Sequence, residues 1–329
     1  KEIFRQAVKM EAFPECHFLE EELQEITLKT GNEEQIKYLP ASLKKSYETA
    51  DTILTIWGSS NTRIFANIEP VKMKTYSQGR RPIIDLLFQR LAKGEARWCG
   101  TLSPTPAVAQ EANMSFSEYE EFVYNACLLN DIDPITAWQE INRKQESICN
   151  FLNQKKELRI ISHSTDLKVS IKGRKWINCS GKENFPDGEV FTSPIEDSAE
   201  GNIRFNFPAI YDGREVEDIR LTLKKGKVVE VSAVKGEEFL KEILTTDEGS
   251  SFLGEIAVGT NYNIQKFTKN ILFDEKIGGT VHIALGRSLP EAGGKNLSAI
   301  HWDLISDMKN GGEIYADNQL IYKNGVFLF

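Results

Sequence analysis

The feature that most constrains this chain is a change of periodicity near Leu158. Upstream, apolar residues recur at helical spacing, interrupted by a few compact β-branched runs; downstream, the pattern turns to the period-two alternation of strands. Leu158–Ser162, Asp166–Lys172 and Arg174–Cys179 read as successive strands, with a Lys172-Gly173-Arg174 turn between two of them. Ile219–Leu223 and Val228–Val234 read as a hairpin around Lys224-Lys225-Gly226-Lys227, and 236–245 as a helix. The chain closes on short strands at Glu313–Ala316, Gln319–Tyr322 and Val326–Phe329.

The upstream half alternates helices and strands. Helices are expected over Glu2–Phe13, ended by Pro14, over Pro40–Glu48 and over Pro82–Ala92. Strands are expected at Cys16–Leu19, Asp51–Trp57 and Arg97–Leu102, and such alternation implies a parallel-type sheet. Ser115–Asn150 is a helical block capped by Ser115 or Ser117, whose second helix begins near Pro134 and runs to about Lys155. The expected fold class is α+β. An α/β domain (1–114) with a parallel-type sheet is joined by a helical bridge (115–157) to a largely β domain (158–329).

Composition narrows the function classes. The 329 residues carry 40 Lys plus Arg against 48 Asp plus Glu, a formal charge of −8. That balance argues against a nucleic-acid partner, which requires clustered basic side chains, and against a basic surface for anionic membranes. No apolar run approaches the roughly 20 residues that span a bilayer. Cys16, Cys99, Cys127, Cys149 and Cys179 form no C-x-x-C pair, a pattern suited to a reducing compartment and offering no thiolate zinc site. Because the chain opens at Lys1 rather than Met, the lack of a signal peptide is weak evidence, and a cytoplasmic enzyme is the default expectation. A Gly-x-Gly-x-x-Gly fingerprint is missing, and Gly293-Gly294-Lys295-Asn296 lacks the first glycine and following Ser/Thr of a phosphate loop, so a tight turn is expected there.

Chemistry concentrates in a few positions. Of four histidines (His17, His163, His282, His301), two sit in apolar strand-like runs. His301 and Asp303 share one face of a strand while Trp302 takes the other. Alone, that pair reads more readily as an imidazole hydrogen-bonded to its neighbouring carboxylate, and His282 as a satisfied core histidine. Glu189 and Glu255 are lone acids entering apolar strands beside glycines; singly, each reads as a strand-end carboxylate. Together, two Glu, two His and an Asp make the ligand set of a divalent metal without thiolates.

At these residues the sequence resembles the aminopeptidase T / aminopeptidase S family of thermophilic-type metalloaminopeptidases. The matching stretches are Trp176-Ile177-Asn178, Asn184-Phe185-Pro186-Asp187-Gly188-Glu189, Gly254-Glu255 with Gly259-Thr260-Asn261, His282-Ile283-Ala284-Leu285-Gly286, and His301-Trp302-Asp303. The resemblance covers the C-terminal half closely and the first half more loosely. It implies a dimeric exopeptidase that uses two divalent ions (Zn, Co or Mn) to cleave the N-terminal residue from peptides with a free N-terminus. Implied ligands are Glu189, Glu255, His282, His301 and Asp303, with Glu275 as a further one and Glu255 also as the catalytic carboxylate. The family pattern Leu-Gly-x-x-Tyr-Pro-Glu meets Leu285-Gly286-Arg287-Ser288-Leu289-Pro290-Glu291, so Leu289 stands where a tyrosine is expected. The alternative implied by that departure is a catalytically degenerate member that binds metal or peptide.

Overall fold

The computed structural model describes residues 1–211 and 213–329. The chain divides into two compact units, one formed by residues 1–50 and 63–93, the other by 51–62 and 94–329.

The smaller unit is helical: Glu2–Lys9, Glu21–Thr30, Glu33–Lys37, Ala41–Thr49 and Pro70–Ala92. Its core is Leu28, Ile36 and Ile68, with Phe65, Met73 and Tyr76 packed against them. Three expectations change here. The first helix stops at Lys9 rather than Phe13. Cys16–Leu19 is not a strand; its side chains are exposed and no neighbouring strand pairs with it, which leaves β-branched or aromatic content alone without a ladder to join. The helix read from Pro82 instead starts at Pro70, with Pro82 inside it. A proline usually opens a helix because its absent N–H costs nothing there, and that reasoning misplaced the boundary. Gly79, in the unrecognised first part, lies so close to the Lys37 carbonyl that a Cβ would sit 2.3 Å from its oxygen.

The larger unit holds three principal sheets. Thr52–Trp57 and Arg97–Leu102 pair in parallel, and Asn184–Phe185 extends them, giving the expected parallel sheet in reduced form. An eight-stranded antiparallel sheet runs in the order 227–232, 219–224, 200–205, 165–170, 157–162, 313–316, 319–323 and 326–327. The 219–232 hairpin is as read from sequence, the strands read at 158–162 and 166–172 pair as 157–162 with 165–170, and the strand read from Arg174 begins only at Ile177 and joins a different sheet. Glu200–Phe205, central in that sheet, escaped notice because Gly201 and Asn202 blunt its alternation. A five-stranded antiparallel sheet follows the order His301–Asp307, Thr280–Gly286, Leu253–Gly259, Glu189–Thr192 and Ile177–Cys179.

The main core lies between these two antiparallel sheets. One contributes Leu158, Ile160, Leu167, Val169, Ile203 and Leu221; the other Val190, Ile256, Val258, Val281, Ile283 and Leu304. Burying a side chain of this size contributes about 1.5–3 kcal/mol, so the alternation that fills this core also fixes which residues face away from it. The helical block appears as Phe116–Ala126 and Pro134–Leu152. Ser115 caps the first through a reciprocal pair with Glu118, and Asp133 caps the second. No helix among the described residues is long and apolar enough to cross a membrane.

Candidate metal centre

The five-stranded sheet turns one face to the core and the other to a cluster of charge. Because Ile256 and Val258 point into the core, Glu255 and Ala257 point away; the same parity sets His282 apart from Val281 and Ile283. Register then joins residues distant in sequence. Glu255 lies opposite Ala284, which lies opposite Asp303; His282 lies opposite Ala257, and His301 opposite Gly286. Glu189 enters opposite Gly259. A register shift between Leu253 and Glu255 sets the angle of the glutamate, and Gly254 is required there because a Cβ would fall 2.1 Å from the Arg287 carbonyl oxygen. Gly188, just before Glu189, has φ 125° and packs against Asn261, which only glycine tolerates.

The result is a tight constellation. His282 Nε2 is 3.3 Å from Glu189 Oε2 and 3.6 Å from Glu255 Oε1. His301 Nε2 is 3.3 Å from Glu255 Oε2 and 3.6 Å from Asp303 Oδ1. Ligand-type atoms of Glu189, Glu255 and His282 lie within 4.8 Å of one another, as do those of Glu255, His301 and Asp303, and of Glu275, His282 and Asp303. The structure therefore gathers all six sequence-derived positions. His17 and His163 are elsewhere: His17 meets Ser46 at 3.2 Å, and His163 is exposed in the 157–170 hairpin turn.

Burial is graded across the cluster. Glu189, Glu255 and His282 are buried, whereas 30% of the His301 side chain is exposed, so His301 marks the open side. His301 Nδ1 lies 2.9 Å from the Arg287 carbonyl oxygen, an acceptor only, so Nδ1 donates and Nε2, turned inward to Glu255 and Asp303, is the nitrogen left for a metal.

Electrostatics follow from crowding. Burial pushes the Glu189 carboxyl up to about 8 against the opposing charge of Lys276. At His282, burial disfavours the imidazolium, but the Glu255 hydrogen bond and the surrounding carboxylates outweigh it and raise the group to about 9. His301 is raised to about 11, burial again being outweighed, here by Asp303 and Glu255. Glu255 and Asp303 are held below the usual carboxylate range despite burial, because the imidazoles facing them favour the charged form.

Four residues that sequence reasoning did not place at the site sit around it. Lys276 is fully buried, hydrogen-bonded to Glu275 and 3.8 Å from Glu189 Oε1. Asp187, also fully buried, accepts the amides of Gly181 at 2.9 Å and Gly188 at 3.0 Å; burial raises it to about 6. Cys179 lies beside Asp187 and Glu189. Gln145, buried on the 134–152 helix, donates to the carbonyls of Glu189 (2.8 Å) and Cys179 (2.7 Å) and accepts from Thr260. Asp187 belongs to the Asn184–Glu189 motif, and a lysine following Glu275 in a short apolar stretch is the sequence signal for the other charge.

The donor set suits a divalent ion. Glu189 Oε2, Asp303 Oδ1 and His282 Nδ1 are buried without hydrogen-bond partners, and buried polar atoms are seldom left so. Carboxylate oxygen and imidazole nitrogen are ligands that zinc, cobalt and manganese share. Leu289 packs its side chain on Phe191, Ala257 and Ala292, and its amide donates to Ser193 Oγ at 2.9 Å. The 293–296 segment is a turn, with Gly293 at φ 89°, leading to the His301 strand.

Several known proteins are similar to this chain. Aminopeptidase 2 of Geobacillus stearothermophilus is 28% identical over 251 residues, 70% of this chain and 60% of that protein's length. Aminopeptidase AmpS of Bacillus subtilis (strain 168) is 28% identical over 310 residues, 82% of this chain and 75% of its own length. The solved structure of wild-type AmpT from Thermus thermophilus superposes with a TM-score of 0.86 at 24% identity, covering 99% of this chain and 90% of that one, and so shares the fold. The sequence model described as "Thermophilic metalloprotease (M29)" matches residues 1–327. By that match across nearly its whole length, the chain belongs to the thermophilic metalloprotease (M29) family.

Proposed function

We propose that this chain is a metal-dependent aminopeptidase that hydrolyses the N-terminal bond of peptides with a free N-terminus, using two divalent ions (Zn, Co or Mn). The carrying observation is the position of Glu255, whose two carboxylate oxygens face different imidazoles, His282 and His301, so that one residue belongs to two ligand clusters. Glu189, His282 and Glu275 would hold ions on the buried side, and His301 with Asp303 on the open side. Paired ions bound there would acidify a water and polarise the scissile carbonyl. Glu255 is the proton carrier in this reading, since it is the carboxylate central to both clusters. The excess of carboxylates over Lys276 favours the free ammonium of a peptide and disfavours a blocked terminus. Family membership and the names of the similar aminopeptidases support the same assignment.

In this reading residues 1–114 form an α/β part, 115–157 a helical bridge and 158–329 the mainly β part that holds all six proposed ligands, which lie within the larger of the two compact units. A homodimer, on the family resemblance, and a cytoplasmic location, on a cysteine pattern suited to a reducing compartment, complete the proposal. A second reading, a degenerate metal- or peptide-binding member, is favoured by Leu289 alone: an aliphatic side chain offers no donor for a developing oxyanion.

The test is release of N-terminal residues from matched unblocked and N-acetylated peptides, in metal-free buffer and after each metal is added. Metal-restored cleavage confined to unblocked peptides is expected. Stoichiometric metal uptake without cleavage would favour the degenerate reading, and no uptake would refute both the enzyme and a metal-binding role.

A further inference from the structure

Lys276 is the only fully buried lysine among the described residues. An ammonium removed from water is costly unless paired, so its position needs a reason. Here it hydrogen-bonds to Glu275 and stands 3.8 Å from Glu189 Oε1. Glu189 is thereby divided between two partners: Oε1 faces the lysine, while Oε2 faces His282 at 3.3 Å and lacks a hydrogen-bond donor. Among the described residues, no other ammonium or guanidinium pairs with Glu189, Glu255, Glu275 or Asp303.

The imidazoles of His282 and His301 face these four carboxylates, but Lys276 is their one ammonium among the described residues, and like charges in so buried a place repel one another strongly. Lys276 relieves that repulsion most directly on the buried side, where it pairs with Glu189 and Glu275, and its charge reaches Asp303 only at longer range. Its fixed charge also opposes any second cation that those two carboxylates accept. We propose that Lys276 is a resident counter-cation: it keeps Glu189 and Glu275 assembled in the metal-free chain and, by the same charge, weakens metal binding so that the ions exchange. Lys276 is thus a positioning residue, and its role rests on the metal reading above.

Two measurements on metal-free protein test this: Co²⁺ affinity by chelator competition in alkaline buffer, and the thermal midpoint with and without Co²⁺. Lys276→Met is expected to bind Co²⁺ about tenfold or more tightly, because a like charge has been removed from the site. Its metal-free midpoint should fall while its Co²⁺-loaded midpoint falls much less. A purely structural lysine would lower both midpoints equally at unchanged affinity, and that result overturns the proposal. Should Lys276→Met fail to fold without metal, the double variant Lys276→Met/Glu275→Gln, which removes both charges of the pair, is expected to recover the metal-free fold. Failure of the double variant in both metal states also overturns it. A wild-type chain that takes up no Co²⁺ would instead remove the metal reading, and this inference with it.

Discussion

Raising the pH of the metal-free chain tests the electrostatics of the cluster without any substitution. His282 is lifted from its usual value near 6.5 to about 9, the hydrogen bond and charges of neighbouring carboxylates outweighing burial. A folded-state value above the unfolded one means that the native chain holds the proton more tightly. The contribution is therefore complete below about pH 6.5 and is lost as pH climbs through 9. At 1.36 kcal/mol per unit, that difference corresponds to about 3 kcal/mol of stability from this side chain. Glu189, raised to about 8 by burial, acts in the same direction: its contribution is complete below the ordinary carboxylate range and lost as pH rises through 8. Glu255 and Asp303 are depressed, so their contributions survive throughout this window and are lost only in acid. Urea unfolding in the presence of chelator, followed by the fluorescence of buried Trp176 and Trp302, reads the larger unit directly. Stability should fall between pH 6.5 and 9 without metal, and saturating metal should abolish or reverse the slope, because metal binding requires the deprotonated imidazole. A metal-free chain whose stability is level or rising across that window would refute the reasoning.

Three substitutions extend the test. Glu255→Gln should lower turnover by about a hundredfold to ten-thousandfold while unfolding stays cooperative; an unchanged rate would remove Glu255 from the mechanism. Leu289→Tyr should raise turnover by about a hundredfold if the phenol is the missing donor, whereas no gain in an already active chain would show it to be dispensable. Gln145→Leu removes the donor to the Glu189 and Cys179 carbonyls and should cost about 3 kcal/mol in urea unfolding; a loss below about 1 kcal/mol would mean that water or the strand ladder replaces the amide.

Much of this protein was determined by local pattern in the sequence. Period-two alternation around Glu255, His282 and Asp303 requires each polar side chain to face away from its apolar neighbours, whatever the strand pairs with. Caps at Ser115 and Asp133 and the turn at 224–227 likewise depend on residues adjacent in the chain. Tertiary structure decided the rest, because partner choice and register are non-local. Cys16–Leu19 has strand-like content but no partner, and Pro82 proved internal to a helix whose earlier turns are anchored by Met73 and Tyr76 on a core drawn from 28 to 68. No spacing in the sequence says that Glu255 stands between two imidazoles; the pairing of Glu255 with Ala284 and of Ala284 with Asp303 does. Nor could composition show Lys276 buried against Glu189, since a lysine in a turn is ordinarily solvated, and only the tertiary fold that buries it makes its charge part of the centre.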